Sequence, residues 1–204
     1  MNDGIGFRFD NTFVQNLAGL YLPWHANSVP KPELLILNER LAQELGLNKT
    51  ALKQGYGIAI LAGNEVPEKA SPCAQAYAGH QFGTFTKLGD GRALLLGEIL
   101  DLNNHRWDLH LKGSGRTPYA RRGDGKATVG PMLREYLMGE AMYNLGIPTT
   151  RILSVIETGE KIKRELLEVL SHPFEARLEF EKYAYAGDKP GSSGNVCYKT
   201  YCGT

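Results

Sequence analysis

No run of apolar residues in this chain approaches the roughly 20 needed to cross a bilayer as a helix. The opening Met1-Asn2-Asp3-Gly4-Ile5-Gly6 has neither a basic stretch nor an apolar one, so no secretory signal is expected. Cysteine is scarce. There are three among 204 residues, and only Cys197 and Cys202 lie close together. A disulfide framework is therefore excluded as the basis of the fold, and a reducing, cytoplasmic setting is expected. None of the five histidines and three cysteines falls in the H-x-x-x-H or C-x-x-C spacing of a metal site. Excess charge is missing too. A net charge of +1 argues against a dedicated nucleic-acid binder. Neither a Walker loop nor a full G-x-G-x-x-G opening a helix is present.

What the chain does have is the composition of a soluble globular protein, 42% hydrophobic and 22% charged, and enough length for one domain with a core or two small ones. Its organising stretch is residues 89–126, where three glycine-rich turns surround one lysine. They are Gly89-Asp90-Gly91-Arg92, Lys112-Gly113-Ser114-Gly115-Arg116 and Arg122-Gly123-Asp124-Gly125-Lys126. Two strand-like runs separate the first two turns. Residues 93–100 are mostly apolar. Residues 107–112 alternate, with Trp107, Leu109 and Leu111 on one face and Asp108, His110 and Lys112 on the other, the period of a half-buried strand. Glycine lets backbone N–H groups approach a ligand, lysine supplies a point charge, and arginine supplies a fork that fits phosphate oxygens. By spacing alone, a polyphosphate site and a plain hairpin with a snorkelling lysine both remain open.

Along the chain, residues 1–36 read as an irregular opening segment broken by Pro23, Pro30 and Pro32. The aromatic run from Tyr21 to Trp24 reads as a buried anchor. A short helix is expected over 38–45, capped by Asn38. Residues 51–63, with Gly55, Gly57 and Gly63, read as loop-like. His80 reads as a structural histidine. Residues 85–97 read as a hairpin turning at Gly89-Asp90-Gly91. The clearest helix is near 131–145, with an apolar stripe of Leu133, Tyr136, Leu137, Ala141 and Leu145. Glu140 falls inside that stripe and Glu135 opposite it. A strand is expected over 151–156, closed by a turn at Glu157-Thr158-Gly159. One amphipathic turn or two is expected over 163–170. The tail reads as partly irregular and draped on the surface.

Several motifs occur together and in order: Phe9-Asp10-Asn11-Thr12-Phe13, Ala76-Tyr77-Ala78-Gly79-His80-Gln81-Phe82-Gly83, Leu88-Gly89-Asp90-Gly91-Arg92, and Leu109-His110-Leu111-Lys112-Gly113-Ser114-Gly115. Then come Arg122-Gly123-Asp124-Gly125-Lys126, Arg134-Glu135-Tyr136-Leu137 and Leu145-Gly146-Ile147-Pro148. Over residues 9–160 this resembles the selenoprotein O family of protein adenylyltransferases, formerly classed as pseudokinases. The resemblance implies an α+β, protein-kinase-like N-terminal lobe over residues 1–160, an antiparallel sheet with one main helix, followed by a tail over 161–204. It implies ATP as cofactor with Mg or Mn, and protein substrates accepting AMP on Ser, Thr or Tyr; no nucleic-acid or membrane partner is expected from the charge and the apolar runs above. It places Gly89, Gly91, Arg92, Lys112, Asp124 and Gly125 on the nucleotide, and pairs Glu135 with Lys112.

The resemblance also implies parts that this chain lacks: two further phosphate-binding arginines, a catalytic loop with an adjacent Asp-Asn pair, and a metal-binding Asp. The one Asp-Asn in the chain is Asp10-Asn11, in the opening motif. No catalytic base or metal ligand is therefore identifiable. Ser171-His172-Pro173-Phe174 and Tyr201-Cys202-Gly203-Thr204 resemble the family's extreme C-terminus. The chain reads as the front of the family joined to its tail, inactive or weak alone. The alternative is a non-catalytic nucleotide- or partner-binding module. Cys202 stands where some members carry selenocysteine or cysteine, so both a redox role, with Cys197 as partner, and a free tail thiol are open.

Overall fold

The computed structural model describes residues 4–81, 84–162 and 192–201, with side chains left out for 78–88 and 192–201. Its centre is a mixed-length, antiparallel sheet. The elements in chain order are α1 (Thr12–Asn16), β1 (Tyr21–Pro23), β2 (Glu33–Leu37), α2 (Glu39–Glu44), α3 (Lys49–Leu52), α4 (Gly55–Ala62), β3 (Cys73–Gln81), β4 (Thr84–Gly89), β5 (Ala93–Leu100), β6 (Arg106–Lys112), β7 (Ala127–Thr128), α5 (Val129–Asn144), β8 (Arg151–Lys161) and β9 (Ser192–Tyr201). The main path runs β1-β3-β5-β6-β9-β8-β2, with β4 paired to β3 and β7 to β9. The class is α+β.

Both sheet faces are covered, which is why the central strands bury long runs. On one face, α2–α4 pack Leu41, Leu45, Leu52, Ile60 and Leu61 against Leu94, Leu96, Leu109, Leu111, Leu153 and Ile156. On the other, α5 packs Met132 and Tyr136 on Ile152 and Val155. The half-buried expectation for β6 therefore needs correcting. Its apolar face is sealed, and its polar face is covered as well, so that Asp108 and His110 are buried with 3.7 Å between Oδ2 and Nε2.

The local chemistry explains most boundaries. Asn38 caps α2 by accepting the Leu41 amide at 3.0 Å. Residues 51–63, expected as loop, form parts of two helices instead. The glycines that argued against helix serve packing: a Cβ on Gly57 would lie 2.3 Å from the Ala51 carbonyl, so its absence lets α3 and α4 touch. Gly63 ends α4 in the left-handed conformation at φ 83°. The expected hairpin over 85–97 is also replaced. β4 pairs with β3 (Ala76↔Gly89 through Gln81↔Thr84), and the turn at 89–92 carries the chain across to β5.

Three other expectations differ. Most of the apolar stripe on α5 faces outward, with Leu133, Leu137 and Leu145 exposed, while Tyr136 packs inward and the helix buries Val129, Gly130, Met132 and Gly139. A Cβ on Gly139 would lie 2.9 Å from the Thr150 carbonyl, so its absence lets the helix lie close to the chain entering β8. β8 runs on to Lys161 through Glu157-Thr158-Gly159, with a register irregularity after Glu157 where a chain stop was expected. Residues 192–201, expected within a surface-draped tail, form a strand at the centre of the sheet. The expectations for the His80 side chain, residues 163–170 and Cys202 fall outside the described residues.

Glu140 is resolved from its ambiguous position as the partner of a buried arginine. Arg151, 3% exposed, holds Glu140 through Nε–Oε1 and Nη2–Oε2 bonds of 2.9 Å each and reaches Glu44 Oε2 at 2.6 Å through Nη1. Its guanidinium carbon lies 3.6 Å from the centroid of the Tyr143 ring. Burial alone would raise the Glu140 pKa. The Arg151 hydrogen bonds, with further bonding and charge from Asn38 and Arg40, outweigh it and hold the carboxyl below its ordinary value. A depressed carboxylate pKa contributes stability that is present above the unfolded value and is lost as pH falls through the folded one. Arg151→Ala is therefore expected to lower stability by about 3–5 kcal/mol in urea unfolding at neutral pH. In Glu140→Gln, the loss of stability on acidification below the carboxylate range should be smaller than in the parent chain.

Candidate functional site

Lys112 closes β6, and the helix that follows the glycine region brings Glu135 onto it. The two form an ion pair through Nζ and Oε1. Lys112 is 19% exposed and Glu135 38%, so the pair sits at the lip of the sheet, neither sealed nor free in water. Three turns converge on this strand end because the backbone stitches them together. The Gly113 amide donates to the Arg92 carbonyl at 2.8 Å, joining the first turn to the second. The Gly115 amide donates to the Gly125 carbonyl at 3.2 Å, and Ser114 bridges Lys126, joining the second to the third. Thr117 closes the ring by donating its hydroxyl to the Asp90 carbonyl.

The glycines are demanded by this stitching. Gly125 adopts φ +70°, and a Cβ there would fall 1.9 Å from the Gly115 oxygen. A Cβ on Gly89 would enter the Tyr119 ring at 2.4 Å. Sequence spacing picks out all three turns but shows neither the contact between the second and third nor the part of Tyr119, which only the folded chain brings under Gly89 and Gly91.

Charge on this surface is one-sided. Arg92, Arg116, Arg121 and Arg122 are exposed around the turns, and Arg116 donates to the Arg121 carbonyl at 2.8 Å. Lys126, in the third turn, pairs with Glu160 at 2.6 Å. The acids within the turns are differently occupied. Asp90 is buried, exchanging bonds with Gln75: its amide donates to the Gln75 carbonyl and its Oδ2 accepts the Gln75 amide, each at 2.9 Å. Burial pushes its carboxyl pKa up, against the opposing pull of the Gln75 amide. Asp124 accepts the Lys126 amide at 2.9 Å, fastening its own turn. Among the described residues no group of three or more His, Cys, Asp and Glu side chains is placed to hold a metal. Cys73 is buried, and desolvation with nearby carboxylates pushes its thiol up to about 12, which disfavours the thiolate.

The aromatic run expected as a buried anchor has a different part. Trp24 is 38% exposed, and its indole Nε1 donates to the Arg116 carbonyl at 3.0 Å. Beside it, the Asn27 amide donates to the Ser114 carbonyl at 2.8 Å. The opening segment thus braces the second glycine turn from outside. Nothing in its local pattern signals this, because the partner lies about ninety residues away.

The comparison with known proteins follows the same residues. The profile of a family described as protein adenylyltransferase SelO matches residues 5–168. A protein nucleotidyltransferase YdiU of Cereibacter sphaeroides is 58% identical over 164 residues, covering 80% of this chain and 34% of its own. One of Halalkalibacterium halodurans is 56% identical over 161 residues, 79% of this chain and 33% of its own. One of Mycolicibacterium smegmatis is 53% identical over 178 residues, 85% of this chain and 37% of its own. The chain spans about a third of the length of these curated relatives. On this likeness, carried through the site just described, the chain belongs to the SelO family of protein adenylyltransferases.

Proposed function

We propose that this chain holds the polyphosphate of ATP on its three glycine turns, as the nucleotide-binding part of a kinase-like protein adenylyltransferase. The observation that carries the reading is the Lys112–Glu135 pair at the meeting point of three turns fastened to one another. Glu135 fixes the angle of a side chain that would otherwise sample many rotamers, which is how a carboxylate makes a lysine a precise phosphate contact. Gly91 stands partly exposed at the turn, while Gly89 and Gly125 let the turns pack closely on Tyr119 and Gly115. Arg92 stands exposed where a fork for phosphate oxygens is useful. Asp124 acts here by holding its turn. Lys112 and the exposed Arg92, Arg116, Arg121 and Arg122 supply the positive charge that a polyphosphate calls for.

The described residues do not fit a divalent metal as well. Asp90 is turned into the protein on the Gln75 amide, and Asp124 stands as the one exposed acid of the turns. Adenylyl transfer to a protein hydroxyl also needs a group to take the hydroxyl proton. Our reading is therefore that this chain binds nucleotide and by itself transfers AMP weakly or not at all. In the longer members of the family the transfer to Ser, Thr or Tyr of a protein target would draw on residues beyond the stretch shared with this chain. A cytoplasmic location accords with such substrates, and among the described residues no helix is long and apolar enough to cross a membrane.

Two measurements test this. In titrations with ATP, Lys112→Ala should bind about 10- to 100-fold more weakly than the parent, the loss of one charge-assisted contact, with an unchanged unfolding midpoint. Equal affinity in both would sink the assignment. With ATP labelled on its α-phosphate, the parent chain should leave little or no label on protein. Label retained by the parent and lost in Lys112→Ala would show instead that the shared stretch suffices for transfer. Gly125→Ala separates the turn from the lysine. Backbone strain of about 1–3 kcal/mol should lower the unfolding midpoint and weaken ATP binding together, whereas Lys112→Ala should affect binding alone.

A further inference from the structure

The matched stretch of the family ends at residue 168, yet the strand at the centre of the sheet comes from beyond it. β6 and β8 do not pair with each other. β9 lies between them, antiparallel to both, with Trp107↔Tyr201 through Lys112↔Val196 on one side and Arg151↔Lys199 through Lys161↔Ser192 on the other. β7 also depends on it, through Ala127↔Gly194 and Thr128↔Ser193. Remove β9 and the sheet divides in two, with β1, β3, β4, β5 and β6 on one side and β8 with β2 on the other. The two edges would face each other across two strand spacings, roughly 10 Å. Every backbone N–H and C=O they now give to β9 would need another partner.

The seam runs through the site. Lys112 belongs to the first half-sheet, directly opposite Val196 in the ladder. Glu135 belongs to α5, which packs on β7, β8 and β9. Among the described residues, the ion pair thus spans a junction whose strand-to-strand continuity β9 alone supplies. Lys161 and Ser192 are register partners, which makes β8 and β9 antiparallel neighbours within one chain.

We infer that the matched stretch of this chain is an acceptor with an open central slot, and that its own residues 192–201 are the strand that fills it. The Lys112–Glu135 pair is then assembled by the tail. The segment suits the slot: Val196, Tyr198, Thr200 and Tyr201 are residues that favour strands, Lys199 is its one charge, and it contains no proline. The sheet interior is a form of β-augmentation in which donor and acceptor share one chain.

Ser154 and Cys197 are register partners across β8 and β9. Such antiparallel pairs have Cα separations within the range that a disulfide spans. Ser154 is fully buried and its Oγ finds no hydrogen-bond partner among the described residues, so a thiol there is a mild change. The test uses the full chain carrying Ser154→Cys and Cys202→Ser, oxidised and mapped by mass. The expected product is a monomer with residues 154 and 197 linked. Failure to link them, or a link formed only between two chains, would overturn the inference. This readout is independent of nucleotide, so it can fail while the ATP reading of the site stands, and the reverse.

A second variant reads the consequence. Val196→Pro removes a ladder donor from a strand paired on both sides. Amide exchange protection should be lost across residues 107–112 and 151–156, while protection in α2 and α4 is reduced less. Protection retained in both strands would show that the slot closes without β9 and would overturn the inference.

Discussion

Everything at the candidate site depends on one ammonium group being held by one carboxylate across the gap between a strand end and a helix. As a contribution to stability the Lys112–Glu135 pair is small. Both side chains retain contact with water, and exposed pairs of this kind amount to about 0–1 kcal/mol. Its worth is geometric. A lysine has four rotatable bonds, and a fixed partner reduces the volume its charge samples. The same arithmetic separates this pair from Arg151 with Glu140 and Glu44. There the guanidinium is sealed, its fork is matched by a carboxylate, and an aromatic ring lies beneath it. One pair stabilises and the other positions, and exposure decides which.

The glycine turns make sense only as a set. Taken singly, each is an ordinary chain reversal. Joined by the Gly113–Arg92, Gly115–Gly125 and Thr117–Asp90 bonds, they become a continuous rim around Lys112. The buried carboxyl of Asp90 fixes one end of that rim to β3, at the cost of desolvating an acid. Trp24 fixes the middle. Rigid anchoring behind and exposed arginines in front is the arrangement expected where a backbone must meet a highly charged ligand without first rearranging.

Legibility in the sequence followed the range of the interactions. β5 and β6 were readable because alternation and apolar runs are local, and α2 because Asn38 announces its cap. α3 and α4 were hidden because Gly55 and Gly57 lower helix propensity, while the close helix contact that repays the loss is tertiary. The outward stripe of α5 misled for a related reason: its buried side mixes Met132 and Val129 with Gly130 and Gly139, and glycines add nothing to an apolar periodicity. Glu135 had no local signal at all. Spacing placed it on the face away from the stripe, and only the resemblance joined it to Lys112. β9 was the least readable, since a strand's place in a sheet is set by edges that lie far away in the chain.

The opening motif shows the other side of the same rule. Phe9-Asp10-Asn11-Thr12-Phe13 is among the most recognisable parts of the sequence, yet it contacts β5 rather than the glycine turns. The Asp10 amide donates to the Glu98 carbonyl at 2.8 Å, and Asn11 Oδ1 accepts the Glu98 amide at 3.3 Å. The Glu98 carboxylate takes the Thr12 hydroxyl at 3.0 Å together with the Phe13 amide, so it serves as an N-terminal cap delivered from another strand. Gly97 must lack a side chain, because a Cβ there would lie 2.7 Å from the Phe9 ring and 2.8 Å from Asn11. Asp10 then reaches Arg106 at the start of β6, the strand that Lys112 ends. The residue types are thus fixed by a clamp that holds the β5–β6 pair in register, and the motif's specificity belongs to folding. The lysine strand is fastened at its far end by Asp10 and Glu98 and along its length by β5 and β9. That leaves the Lys112 end as the place where the strand meets its glycine turns and its glutamate.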